Sequence, residues 1–225
     1  SGASPEDALL TMGEAVDRVV GSATIMVVSD NLEVGENIVI SGKDIFLTSL
    51  SGTSTIIRKC SGELFAVQES GKLTLENIIF NGSKETYPAA TGENNQSSFI
   101  RVHNTAMLTM KAGVLLTNHN AHSGGAVLVS GLANKSVQFF MEGGEMRKTT
   151  SGRGGGVAID TQGQFTMTGG IITGNTTNTA STGDGVDIGG AGVVTIQGGT
   201  ISGNKPSGGT DLYVNSTDVN RSRLY

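Results

Sequence analysis

The chain has 225 residues, a formal net charge of −5, 34 glycines, and an aromatic share of only 4% with no Trp. Too few large side chains remain for a conventional globular core, and three prolines without a Gly period of three exclude a collagen helix. The acidic balance argues against nucleic acid as a partner, and no apolar run reaches membrane-spanning length.

Ser1–Gly2 stands where an initiator Met would, with no leader peptide after it, which predicts a processed or trimmed part of a longer protein. Cys60 is the sole cysteine, so no intrachain disulfide exists. It lies in the turn KCSG with no His or Asn nearby in sequence, and is expected to be a buried or half-buried inert thiol.

The first element is a helix over Pro5–Val20, inside a cap region 3–22. Ser4 can cap it, Pro5 suits its first turn, and Ala8, Leu9, Met12, Ala15, Val16 and Val19 recur at helical spacing before Gly21. From residue 23 to 216 the period changes to two, the mark of strands. Short strands are expected at Thr24–Val28, Asn31–Val34, Asn37–Ile40, Asp44–Thr48 and Thr55–Ile57, then at Glu63–Val67 and Lys72–Phe80, divided by Gly and Ser turns. Phe46 and Thr48 are expected one coil before Leu73 and Leu75. The polar run 83–98, SKETYPAATGENNQSS, interrupts the pattern and predicts a loop excursion, with Tyr87 and Asn94 as candidate binding residues.

The later chain repeats. Gln164–Asn175, QFTMTGGIITGN, returns as Val193–Asn204, VVTIQGGTISGN. Phe165, Met167 and Ile172 match Val194, Ile196 and Ile201. The frame extends back through Phe139, Met141 and Met146, through Leu108, Met110 and Leu115, and to Leu73, Leu75 and Phe80. The middle column falls at 75, 110, 141, 167 and 196, and repeats of this size signal a solenoid. Val127 and Val129 match Val157 and Ile159, Val186 and Ile188, and Leu212 and Val214, which gives a third sheet. Its outward column is Leu128, Ala158, Asp187 and Tyr213. Asn118, Asn175 and Asn204 form a bend ladder that Thr149 interrupts. A polar tail, 217–225, is expected to cover the open end or continue the chain.

The segment LTLENIIFNG at 73–82, with Asn77 in a bend after a strand, resembles the coils of right-handed parallel β-helix proteins of the pectin-lyase-like superfamily. GGAV at 124–127 and the TGGxxxGN segments resemble surface-protein and adhesin repeats on the same fold. The resemblance spans about residues 24–215. It implies an all-β, right-handed, single-stranded parallel β-helix with three strands per coil and an N-terminal capping helix. It further implies a bacterial cell-surface or secreted scaffold, extracellular and part of a longer surface protein, that binds a glycan or host protein. The alternative in this family is a polysaccharide-active lyase or glycoside hydrolase.

An enzyme would need converging carboxylates. Asp160, Asp184, Asp187 and Asp211 are available, with Arg153 as basic partner, and Asp184, Asp187, Asp211 and Arg153 are the weak catalytic candidates. The dense acidic clusters of pectin-degrading relatives have no residue-by-residue match, which favours binding over catalysis, with Asp187 and Tyr213 joining Tyr87 and Asn94 as contacts. Asp184, Asp187 and Asp211 offer oxygen ligands but no repeated GGxGxD, and His103, His119 and His122 fit exposed loops better than a zinc site. No phosphate-binding glycine motif is present, so neither a metal nor a cofactor is expected.

Overall fold

The computed structural model describes residues 4, 8–86, 97–132, 135–179, 182–205, 210–214 and 223–225. Tyr87 and Asn94 lie outside the described residues. Among the described residues the strands stack into three parallel sheets of eight, seven and seven, each strand pairing with its counterparts in the adjacent coils. This is a right-handed parallel β-solenoid with three strands per coil. At the usual strand spacing of about 4.8 Å, seven rungs make a rod about 30 Å long.

The first sheet begins at Ser22–Val27 and ends at Arg223–Leu224, and the second runs from Asn31–Val34 to Thr200–Ile201. The third runs from Ile38–Ser41 to Thr210–Val214. A short parallel pair, Thr150–Ser151 with Thr176–Thr177, adds a fourth contact between two coils.

Alternation within each strand sends every second side chain into the tube. Leu47, Leu75, Met110, Met141, Met167 and Ile196 form one column in strict register. Ile45, Leu73, Leu108, Phe139, Phe165 and Val194 form the next, and Phe139 stacks on Phe165 at 4.8 Å. The third-sheet columns led by Val127 and Val129 are also as expected.

Two register expectations are corrected. Ile45 and Leu47, not Phe46 and Thr48, precede Leu73 and Leu75. DIFLTS alternates acceptably on either face, so a one-residue slip reverses its assignment. Phe46 instead faces outward, where the Lys111 ammonium lies 5.7 Å from its ring centre. In the fourth coil Leu116, not Leu115, pairs with Phe80 and Met146 and is fully buried. The bend after Met110 holds one residue more than the bend after Met141.

The paired glycines of the repeat have separate causes. At Gly144, Gly170 and Gly199 the backbone is left-handed, with φ of 81°, 90° and 88°. A Cβ at these positions would lie 2.7, 2.6 and 2.5 Å from the methyl groups of Met110, Met141 and Met167 in the preceding coil. The first glycine of each pair is pressed on backbone, Gly169 against the Glu142 carbonyl. Gly174, by contrast, has φ 61° and open space around it. Gly169→Ala is expected to cost about 2–3 kcal/mol, because a carbonyl of the neighbouring coil cannot swing aside. Gly174→Ala should cost only about 1 kcal/mol of left-handed strain. Urea midpoints of the two variants beside the parent check this ordering.

The helix is shorter than its apolar spacing suggested. It covers Met12–Asp17, and Thr11 caps it by accepting from the Glu14 N–H at 3.0 Å. Thr11 and Glu14 have capping-box spacing, which outcompetes the Ser4 start. Met12 and Val16 are buried, and the helix packs on the third-sheet strand Ile38–Ser41. No helix among the described residues is long and apolar enough to cross a membrane.

Candidate functional site

The four weak catalytic candidates are tied into the framework. Arg153 lies across the outer face of the third sheet. Its Nε donates to Asp187 Oδ1, its Nη1 meets Asp160 Oδ2 at 3.3 Å, and its Nη2 donates to the Ile159 carbonyl at 3.1 Å. Burial opposes the guanidinium charge, but Asp187 and then Asp160 outweigh it. Asp187 occupies the expected outward column yet is 0% exposed, and its other oxygen accepts from the Gly183 N–H at 3.0 Å.

Asp184 is also buried. One oxygen accepts from the Thr177 N–H at 2.7 Å and hydroxyl at 2.8 Å, and the other from the Thr210 N–H at 3.0 Å. Asp211 accepts from the backbone and side-chain amides of Asn204 at 2.9 and 2.8 Å. Asp184, Asp187 and Asp211 therefore hold three separate sets of donors instead of converging on one point. Among the described residues no group of three His, Cys, Asp or Glu side chains is arranged to hold a metal ion.

Removing Arg153 tests this structural role. Arg153→Ala strands the buried Asp187 carboxylate with a backbone N–H, and should cost about 2–4 kcal/mol. Arg153→Leu with Asp187→Leu should recover most of that loss, because no buried charge is left unpaired and Asp160, which also loses Arg153, is 39% exposed to solvent. A double-mutant cycle in urea decides it.

Asp211 ends a directed ladder. Asn204 Oδ1 accepts from the Asn175 N–H and side-chain amide at 3.1 and 3.0 Å. Asn175 Oδ1 in turn accepts from the Thr149 N–H and hydroxyl at 3.1 and 2.7 Å. Thr149 thus continues the ladder instead of breaking it. The next position back is His119, not Asn118, because the extra residue after Met110 shifts the frame. His119 is fully buried, contrary to the exposed-loop expectation. Its Nε2 lies 3.1 Å from the Ser97 carbonyl, and its ring is 4.7 Å from that of Phe99. Burial foremost, with Arg58, pushes its pKa down to about 3. Cys60 is buried as expected, its Sγ 3.5 Å from the Glu36 carbonyl, and burial pushes the thiol pKa up.

Asn118 instead takes a left-handed bend position shared with Lys148, Gly174 and Gly203, at φ 59°, 55°, 61° and 68°. Asn118, Lys148 and Gly174 of this line of bends help to line a polar cleft of about 550 Å³. The start of the excursion forms its wall. The Lys84 amide donates to the Asn118 carbonyl at 3.1 Å, and Lys84 Nζ reaches the Lys148 carbonyl at 3.0 Å, strapping the third coil over the fourth to the fifth. Asn118 Nδ2 donates to Asn81 Oδ1 at 3.1 Å and Glu85 Oε2 at 2.7 Å. That hydrogen bond, with lesser help from Lys84 and Lys148, holds the Glu85 carboxyl below its ordinary range. Arg147, beside Glu145 at 3.5 Å, and the hydroxyls of Thr150 and Thr176 complete the lining. Cations, a carboxylate, amides and hydroxyls therefore line one cleft.

The cleft escaped sequence analysis because Lys84 and Lys148 are 64 residues apart and neither lies in a strand. The glycines at 174 and 203, in phase with Asn118, were the available signal. Tyr213 stands next to Asp187 on the third sheet, half-buried in the strand Thr210–Val214. It lies apart from the cleft residues, which belong to the second sheet, its following bend, the start of the excursion and the short Thr150–Thr176 pair. Comparisons with protein-family models, curated proteins and solved structures gave no match to this chain.

Proposed function

We propose that the chain is a non-catalytic binding scaffold of a bacterial surface or secreted protein, and that it takes a glycan in the cleft walled by Lys84 and Glu85. One observation carries this reading. The candidate acids Asp184, Asp187 and Asp211 are engaged in framework hydrogen bonds, whereas the cleft presents mixed donors and acceptors. A sugar chain offers hydroxyls of both characters, and a polar groove meets them without chemistry. Tyr87 and Asn94, in the excursion, and Tyr213, on the third sheet, are secondary contact candidates; Asp187 is dropped as a contact, because it is fully buried and bonded to Arg153 and the Gly183 N–H.

A glycan and matrix-protein array, with reducing-end and unsaturated-product assays on every hit, tests the proposal. Binding without product is expected, with a loss of about tenfold or more for Lys148→Ala or Glu85→Ala, the size of one lost charge-assisted hydrogen bond. Binding that survives both changes but is lost in Tyr213→Ala would move the site to the third sheet. Reproducible product release would replace the scaffold with an enzyme.

A further inference from the structure

The cleft walled by Lys84 and Glu85 has a charge balance opposite to that of the chain. The whole sequence carries a net −5. Among the described residues, Lys84, Arg147 and Lys148 line the cleft against one carboxylate, Glu85, a net +2. Glu145 stands beside Arg147 but outside the lining, and counting it still leaves +1.

The three cations are gathered at one coil. Lys84 Nζ crosses the fourth coil and ends 3.0 Å from the Lys148 carbonyl. It therefore sits at the residue that carries the second ammonium and directly follows Arg147. Their donors are incompletely used. Among the described residues the Lys148 ammonium makes no hydrogen bond or close ion pair, and it acts on Glu85 only at longer range. The Lys148 carbonyl occupies one N–H of Lys84 and leaves the others open. Arg147 Nε is buried without a hydrogen-bond partner, 3.5 Å from Glu145 Oε1, and the arginine side chain as a whole is 43% exposed. Glu85, by contrast, is held by Asn118 Nδ2 at 2.7 Å.

Neutral sugar hydroxyls exchange hydrogen bonds without calling for net charge. Neighbouring like charges repel one another, whereas an oxyanion placed among them is attracted by all three and pairs best with a planar guanidinium. We infer that the cleft selects acidic glycans, with a carboxylate or sulfate of the sugar set against Arg147 and Lys148. This rests on the glycan reading above and adds the charge class of the ligand. Lys84 supports the oxyanion from the wall, and Glu85, steadied by Asn118, accepts from a ring hydroxyl.

Calorimetric titration of the full chain with two matched pairs of oligosaccharides tests this. One pair is hyaluronan and its carboxyl methyl ester, and the other is chondroitin sulfate and unsulfated chondroitin. The more acidic member of at least one pair should bind about tenfold or more tightly than its counterpart. A gap in the first pair assigns the carboxylate, and a gap in the second assigns the sulfate. The gap should shrink between about 50 and 500 mM salt, as screening weakens exposed charges. Lys148→Gln and Arg147→Gln should each lower affinity for the acidic oligomer about tenfold and flatten its salt dependence. Arg147→Lys keeps the charge but not the fork, so it should lose affinity while retaining the salt dependence. Glu85→Gln should also retain it. Equal affinity within both pairs, or an acid preference that survives both Gln changes at 147 and 148, overturns the charge assignment and leaves the glycan reading standing. Binding of no saccharide at all overturns both.

Discussion

Met167→Asp should abolish cooperative folding of the C-terminal coils. Met167 is 0% exposed and is stacked in register between Met141 and Ile196, with its methyl group seated against Gly199. Truncating such a side chain costs about 2–5 kcal/mol, and an unpaired buried carboxylate adds several more. That sum rivals the roughly 5–15 kcal/mol by which a domain is stable. Met167→Leu keeps the volume and should lose less than about 1.5 kcal/mol. Urea melts followed by circular dichroism compare the two. An aspartate variant that melts cooperatively at the parental midpoint would mean that the column does not carry the core.

The second large effect depends on pH and centres on His119. Its folded pKa is about 3 against an ordinary value of 6.5, with burial the main cause and the cations Arg58 and Lys84 adding to it. The unfolded chain therefore binds this proton first. Stability is fully present above pH 6.5 and drains away as pH falls towards 3. At about 1.4 kcal/mol per pH unit, roughly 2–3 kcal/mol should be gone by pH 4.5. Asn, which the ladder carries in later coils at 175 and 204, cannot titrate. Thermal melts of the parent at pH 7.5 and 4.5 should separate by several degrees more than those of His119→Asn. Equal losses in the two proteins would place the acid sensitivity elsewhere.

The fold was visible in the sequence wherever the apolar columns repeated without interruption. From Phe139 to Ile201 the apolar columns of the first two sheets could be named, because the bend from the first sheet to the second keeps one length and a Gly pair marks it. The signal failed where a coil gained a residue. One extra position after Met110 hid Leu116 behind Leu115 and moved the ladder from Asn118 to His119. It failed at Phe46 for a different reason, since both faces of DIFLTS carry apolar residues. The candidate acids were visible as residues, but their use was not. Whether a carboxylate on a bend faces solvent or turns back to a Thr177 N–H depends on side-chain direction that no periodicity encodes. The cleft was hardest, because a crossing such as Lys84 over the fourth coil to Lys148 leaves no mark in any one repeat.

The methionine methyls seated against left-handed glycines also bear on how this chain can be lengthened by duplication. Each such pair straddles two coils, with Met110 matched to Gly144, Met141 to Gly170 and Met167 to Gly199. A gene segment copied from one Met column position to the next carries the receiving glycine pair ahead of the next donor methionine, and it inserts without disturbing either neighbour. Unequal crossing-over in phase with 141, 167 and 196 can thus add rungs freely. A segment cut between a glycine pair and its own methionine can exchange just as freely only where the incoming coil keeps the same bend length, which the fourth coil, with its extra residue, does not.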